Sequence, residues 1–133
     1  MDSIRPGLIG EYQTPVTAAL TARQMGSGSL EVYATPALVA LMEAAAVAAL
    51  DPLLPPGQTS VGTALEVRHL AATPPGMVVR ARAEVTAVDG RRVTFAVHAW
   101  DERELIGEGA HIRVVVDAER FLSRLEAKRA PDQ

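Results

Sequence analysis

The chain has 133 residues, 48% of them hydrophobic, and 13 Lys+Arg against 16 Asp+Glu give a formal charge of −3. That length is near the modal size of one domain, here residues 1–133, and the apolar content suffices for a continuous core. With no cysteine in the sequence, disulfides, thiolate metal ligands and thiol nucleophiles are excluded; the basic residues are scattered among acidic ones, which argues against a nucleic-acid-binding face.

The first residues, Met1-Asp2-Ser3-Ile4-Arg5-Pro6-Gly7, lack the basic-then-apolar pattern of a signal peptide. The longest apolar run reads as too short and too alanine-rich to span a bilayer, so a soluble, cytoplasmic protein without a membrane partner is expected. Leu8 to Ala19 holds β-formers around Tyr12 and Val16 and reads as a first strand ending near Pro15. Thr21 to Ser29 is turn-rich, with Met25-Gly26-Ser27-Gly28-Ser29 at its end, and reads as a mobile loop in a position suited to a lid.

Thr35-Pro36 signals a helix start, since the threonine side chain can accept an N–H bond from the first turn and proline at the first helical position loses nothing. The helix is expected from Pro36 to about Leu50, where Asp51-Pro52 ends it. Glu43 is the one polar residue in that span, so the helix should be enclosed all round by the rest of the fold.

From Ser60 the period changes to two. Ser60 to Thr73 is an extended run closed by Pro74-Pro75-Gly76; Val79, Ala81, Ala83, Val85 and Ala87 alternate with polar residues in the next. Asp89-Gly90 predicts a type I′ hairpin into a strand with Val93, Phe95, Val97 and Ala99 on its core face. Asp101 to Glu104 makes the next connection, and Ile106, Ala110, Ile112, Val114 and Val116 should form the core face of the last strand. An amphipathic helix from Ala118 to about Lys128 follows, with Phe121, Leu122 and Leu125 on its apolar side. A strand, a long apolar helix and then consecutive antiparallel strands are best satisfied by an α+β arrangement in which a curved antiparallel sheet wraps one long buried helix, the hotdog architecture. No metal-ligand spacing, phosphate-binding glycine loop or G-x-S-x-G elbow is present.

Glu43 is the most informative candidate. An ionised carboxylate in an apolar interior must be paired, hydrogen-bonded or face a cavity, so it is either a helix-to-sheet packing bond or a reactive group. Thr35 precedes it by eight residues, two turns or ~12 Å along the axis; the two cannot touch, and a substrate or a second chain would have to lie between them. His69 stands near a strand end before the Pro74-Pro75-Gly76 turn. His98 and His111 read as solvent-side or interface positions.

The segments Val32-Tyr33-Ala34-Thr35, Leu41-Met42-Glu43, Gly62-Thr63-Ala64, Val67-Arg68-His69, Ala71 to Gly76, Val88 to Arg92, Ile106-Gly107, His111, Arg113 and Glu119-Arg120-Phe121 together resemble the fluoroacetyl-CoA thioesterase family of hotdog proteins. The resemblance implies hydrolysis of a short-chain acyl-CoA to the free acid and CoA, with Thr35, Glu43 and His69 catalytic and Gly62 and Arg113 contacting substrate. It implies no cofactor or metal, CoA being part of the substrate, and a homodimer with sites between subunits, where His69 meets a glutamate it could not reach in an isolated chain. The family's lid phenylalanines have no counterpart between Arg23 and Leu30. A non-catalytic acyl-CoA or metabolite-binding protein of the same fold, or a purely structural dimer, is the alternative; a buried Glu43 gives a pure binder little.

Overall fold

The computed structural model describes residues 3–131. Five antiparallel strands, β1 (Ile9–Pro15), β2 (Gln58–His69), β3 (Val78–Asp89), β4 (Arg92–Trp100) and β5 (Leu105–Asp117), form one sheet in the order β1-β3-β4-β5-β2. Three α-helices, α1 (Ala22–Met25), α2 (Thr35–Leu50) and α3 (Ala118–Arg129), are joined to it through short turns. Register shifts between Gly62 and Ala64, Val85 and Ala87, and Ala99 and Trp100 bend the strands, and the curved sheet holds α2 on its inner face. This is the hotdog fold.

The core follows the alternation in β3 and β4: Val79, Ala81, Ala83, Val85, Val93, Phe95, Val97 and Ala99 are buried against Leu38, Leu41, Met42, Ala45 and Ala49 of α2. Contact is close where glycine allows it. A Cβ on Gly10 of β1 would collide with the Ala45 carbonyl and the Ala49 side chain, so only a bare backbone fits there.

Several expectations are corrected. The chain turns into α2 with Ala34 as N-cap and without a side-chain cap bond; Thr35 is already helical, and its hydroxyl is engaged elsewhere. The helix is enclosed on one side only: Pro36, Ala40 and Ala48 are exposed, and Val39, Glu43, Ala44 and Val47 half-buried, along one stripe. With the 3-10 turn Asp51–Leu53 the helical stretch reaches 19 residues and is, by length and composition alone, apolar enough to cross a membrane, contrary to the reading of that run as too short. Its place on the sheet explains the composition.

The β3–β4 hairpin pairs Asp89 with Arg92, so the loop is Gly90-Arg91, and only Gly90 takes a positive φ, of 60°; that is the type II′ pattern, not type I′. The segment Thr21 to Ser29 is partly helical: Thr21 caps α1 by accepting from the Gln24 N–H, and Gly26 ends it at φ 74°. β2 ends at His69, so Thr73 lies in the following loop, where its hydroxyl donates to Asp101 Oδ2 at 2.8 Å. On β5 Ile106 is buried as expected, but from Ala110 onward the faces are inverted. His111, Arg113 and Val115 point inward, and Ala110, Ile112, Val114 and Val116 lie on the other face.

Candidate functional site

Two polar groups lie on the helix side of β2, and a bulge is why they share a face. Gly62 pairs with Arg113, and after the irregularity Leu65 pairs with His111 and His69 with Gly107. Without the extra residue, Gly62 and His69, seven positions apart, would point to opposite faces of the sheet. With it, both face α2.

The first group joins the start of α2 to the end of β2. Thr35 Oγ1 lies 2.8 Å from His69 Nδ1, and the His69 ring meets Tyr33 edge-on at 6.5 Å. Both Thr35 and His69 line a cavity of about 340 Å³, whose walls also include Ala22 and Ser27 of the Thr21 to Ser29 segment, Tyr33, and Leu70 to Ala72. His69 Nε2 is enclosed without a hydrogen-bond partner of good geometry among the described residues. Burial pushes the His69 imidazole below its ordinary range, and the Ala71 backbone opposes that shift; the ring is therefore neutral at pH 7.

The second group lies further along the same helix. Glu43 Oε2 accepts from Arg113 Nη1 at 3.4 Å, an ion pair between a guanidinium that is buried and a carboxylate that is 40% exposed. A Cβ on Gly62 would stand 2.5 Å from Glu43 Oε2, 3.1 Å from His111 Cε1 and 3.4 Å from Arg113 Nη1. Glycine at 62 thus leaves the space that the carboxylate occupies. Among the described residues no group of three or more His, Cys, Asp and Glu is arranged to hold a metal.

Thr35 with His69, and Glu43 with Gly62 and Arg113, are two separate sets in one chain, spaced by the two turns between Thr35 and Glu43. Sequence reasoning missed three polar partners. His111 is 1% exposed and stacks on Phe95 at 6.1 Å, so it is neither solvent-side nor, within the chain, a surface position. Ser60 is buried and bonded to Arg113, and Asp51 accepts from Thr59 and Ser60. The signal available was phase: His111 and Arg113 alternate with a fully apolar set, and one of the two faces had to be polar.

A family profile described as fluoroacetyl-CoA-specific thioesterase matches residues 16–119. The fluoroacetyl-CoA thioesterase of Streptantibioticus cattleyicolor is 47% identical over 98 residues, 74% of this chain and 70% of that protein. Among solved structures, a phenylalanine-to-alanine mutant of the fluoroacetyl-CoA-specific thioesterase FlK is 39% identical with a TM-score of 0.89, over 96% of this chain and 99% of that one. A thioesterase superfamily member from Thermus thermophilus is 34% identical with a TM-score of 0.87, over 96% and 97%. A hot-dog-like protein from Thermanaerovibrio acidaminovorans is 27% identical with a TM-score of 0.89, over 98% and 97%. A match of this extent, on a sheet that wraps its helix in the same way, means that the chain belongs to the fluoroacetyl-CoA-specific thioesterase family of hotdog proteins.

Proposed function

We propose that Thr35, Glu43 and His69 carry the chemistry of this acyl-CoA thioester hydrolase, that Gly62 and Arg113 border the acyl group, and that two copies of the chain complete each site. The enzyme releases a free acid and CoA from a short acyl-CoA. The observation that carries the reading is the pair of polar groups on the bare side of an otherwise apolar helix, within a family match that spans both groups. By one route Glu43 takes the proton of a water that adds to the thioester carbonyl, and the C–S bond breaks; by the other the Glu43 carboxylate itself adds, the C–S bond breaks to leave an acyl-glutamate anhydride, and water then hydrolyses that anhydride to release the acid and free Glu43. In both the leaving thiolate takes up a proton, and His69 passes protons. The Thr35 hydroxyl, with the N–H groups of the helix start, stabilises negative charge on the carbonyl oxygen. Oxygen-18 from solvent entering Glu43 in a single turnover separates the two routes. Water and the substrate supply every atom that the scheme needs.

Thr35 and Glu43 are ~12 Å apart along one helix, too far for one thioester carbon to meet both. β2 is an edge strand with one paired side, and the stripe of α2 from Pro36 to Ala48 is open. A twofold pairing of β2 with its copy would satisfy the free backbone groups and carry each His69 toward the other chain's Glu43. Sedimentation equilibrium at micromolar concentration is expected to give a dimer; a monomer would remove the composite site.

Thr35→Ala is expected to lower kcat about tenfold or more with little loss of stability, because Ala34, not Thr35, occupies the cap position and the lost bond is exposed. Thr35→Ser restores the hydroxyl and should restore the rate. Comparing the two in kcat and in thermal melts checks both halves.

Acetyl-, fluoroacetyl-, propionyl- and aromatic acyl-CoAs form the panel that tests the reading; no turnover of any of them leaves only binding without catalysis. The lid segment offers Ala22 and Ser27 to the cavity, while Met25 and Leu30 are exposed. No aromatic ring closes over the acyl group from that segment, and one small substituent in an open pocket is worth only ~1–3 kcal/mol. Fluoroacetyl-CoA should therefore be preferred over acetyl-CoA in kcat/KM by at most about a hundredfold. A preference of many thousands would show selection of fluorine by other means.

A further inference from the structure

Behind the Glu43–Arg113 pair lies a chain of polar contacts that the scheme above does not use. Arg113 is 6% exposed. Its Nε donates to Ser60 Oγ at 2.8 Å, its Nη2 to the Ser60 carbonyl at 3.0 Å, and its Nη1 lies 3.4 Å from Glu43 Oε2 and 3.2 Å from His111 Nε2. The Ser60 hydroxyl, which accepts from Arg113, donates its own proton to Asp51 Oδ1 at 2.6 Å. His111 Nδ1 lies 2.8 Å from the Ala64 carbonyl.

The donors and acceptors leave one assignment. A carbonyl only accepts, so His111 carries its proton on Nδ1; a guanidinium only donates, so Nε2 must be the bare lone pair. The imidazole is thus neutral and fixed in one tautomer from both sides. Protonation would set an N–H against the N–H of Arg113 and break that contact. Burial holds the His111 imidazole below its ordinary range, and the Arg113 charge adds to that, while the Ala64 hydrogen bond and the Glu43 carboxylate oppose it. Ala64 also follows the bulge that turns Gly62 toward the helix, so the same ring ties down the strand segment bordering the carboxylate.

We infer that His111, Ser60 and Asp51 are positioning residues, which hold the Arg113 guanidinium in one place and through it hold the Glu43 carboxylate in line for the thioester. This rests on Glu43 being the reactive carboxylate. Arg113 cannot follow an alternative rotamer of Glu43, because Ser60 grips it at two nitrogens and His111 at the third. The carboxylate, half-exposed and on a flexible stem, has its place set by the better-held partner.

Long-range proton–nitrogen NMR of the ¹⁵N-labelled wild-type protein at pH 7 tests the tautomer, with no need for turnover. A His111 ring protonated at Nδ1 and bare at Nε2 is expected; the Nε2–H form, or a charged ring, would overturn the proposal. The functional test uses His111→Phe, which keeps the stack on Phe95 without ring nitrogens, Ser60→Ala, and His111→Gln, whose amide oxygen can accept in place of Nε2. In folded protein, His111→Phe and Ser60→Ala should each lower kcat tenfold or more with a smaller change in KM. His111→Gln should recover most of that loss. Wild-type kcat in the first two variants would overturn the proposal, as would equal losses in the Phe and Gln variants. Failure of the wild-type enzyme on every acyl-CoA is a different result, visible before any variant is made, and would refute the Glu43 assignment instead.

Discussion

Glu43→Gln should lower kcat by about a thousandfold or more while the protein stays folded, the scale expected when a general base or nucleophile is replaced by an isosteric amide. The amide keeps the volume of the side chain and can still accept from Arg113 Nη1. Arg113 also remains held by Ser60 at Nε and Nη2. What is lost is the charge of a pair whose carboxylate is 40% exposed, and solvent screens such a pair to about 1 kcal/mol or less. The melting temperature should therefore move by only a few degrees. Kinetics and a thermal melt on the same preparation decide between roles. Should the variant unfold at room temperature, or keep its rate, Glu43 is a packing bond between helix and sheet.

The distinction matters because both descriptions of Glu43 were open from sequence, and the structure gives substance to each. A lone carboxylate on an apolar helix announced that something polar must face it. The family resemblance singles out Arg113 as a substrate contact, not as that partner, and its strand reads in the opposite sense, so the Glu43–Arg113 pair emerges only in the structure. Ala110, Ile112, Val114 and Val116 have the period of a core face, and the usual inference puts them inside. Here the inner face of β5 is the polar one, because the second half of α2 brings a carboxylate to it, and the apolar set lies on the outer face.

The inner faces of β4, and of β3 as far as Val85, follow the alternation residue by residue, because both meet only the apolar side of α2; Ala87, which the alternation puts on the core face, is exposed, because the bulge after Val85 shifts the register. Local signals failed where a distant partner outbid them. Thr35-Pro36 has the composition of a helix cap, yet the hydroxyl reaches His69, thirty-four residues away, and the cap position falls to Ala34. A bulge leaves no mark in hydrophobic alternation either, so nothing in the sequence alone aligned Gly62 with His69. The apolar stripe left open on α2 is the opposite case: the composition demanded a cover all round, and one chain provides it on one side only.

His69→Ala should cost about two to three orders of magnitude in kcat, within the range for removal of a positioned proton-transfer group. The imidazole is held by Thr35 Oγ1 at its Nδ1, and burial keeps it below the ordinary histidine value, so its neutral form prevails at pH 7. A base with a lowered pKa stays competent as pH falls, until the pH passes that lowered value. The acid side of the kcat/KM profile should then lie below about 6.5, the ordinary value. The stability dependence has the same sign: the unfolded chain binds its proton at the ordinary value and the folded chain only at lower pH, so stability present above that value is lost on acidification through it. Alanine at 69 removes the group and widens a cavity of about 340 Å³ that is already there, which allows a chemical test. Added imidazole should restore part of the rate of His69→Ala, with the restored rate rising with pH as free imidazole loses its proton. A variant that keeps full activity, or whose lost rate no concentration of imidazole recovers while the protein stays folded, would remove His69 from the proton path.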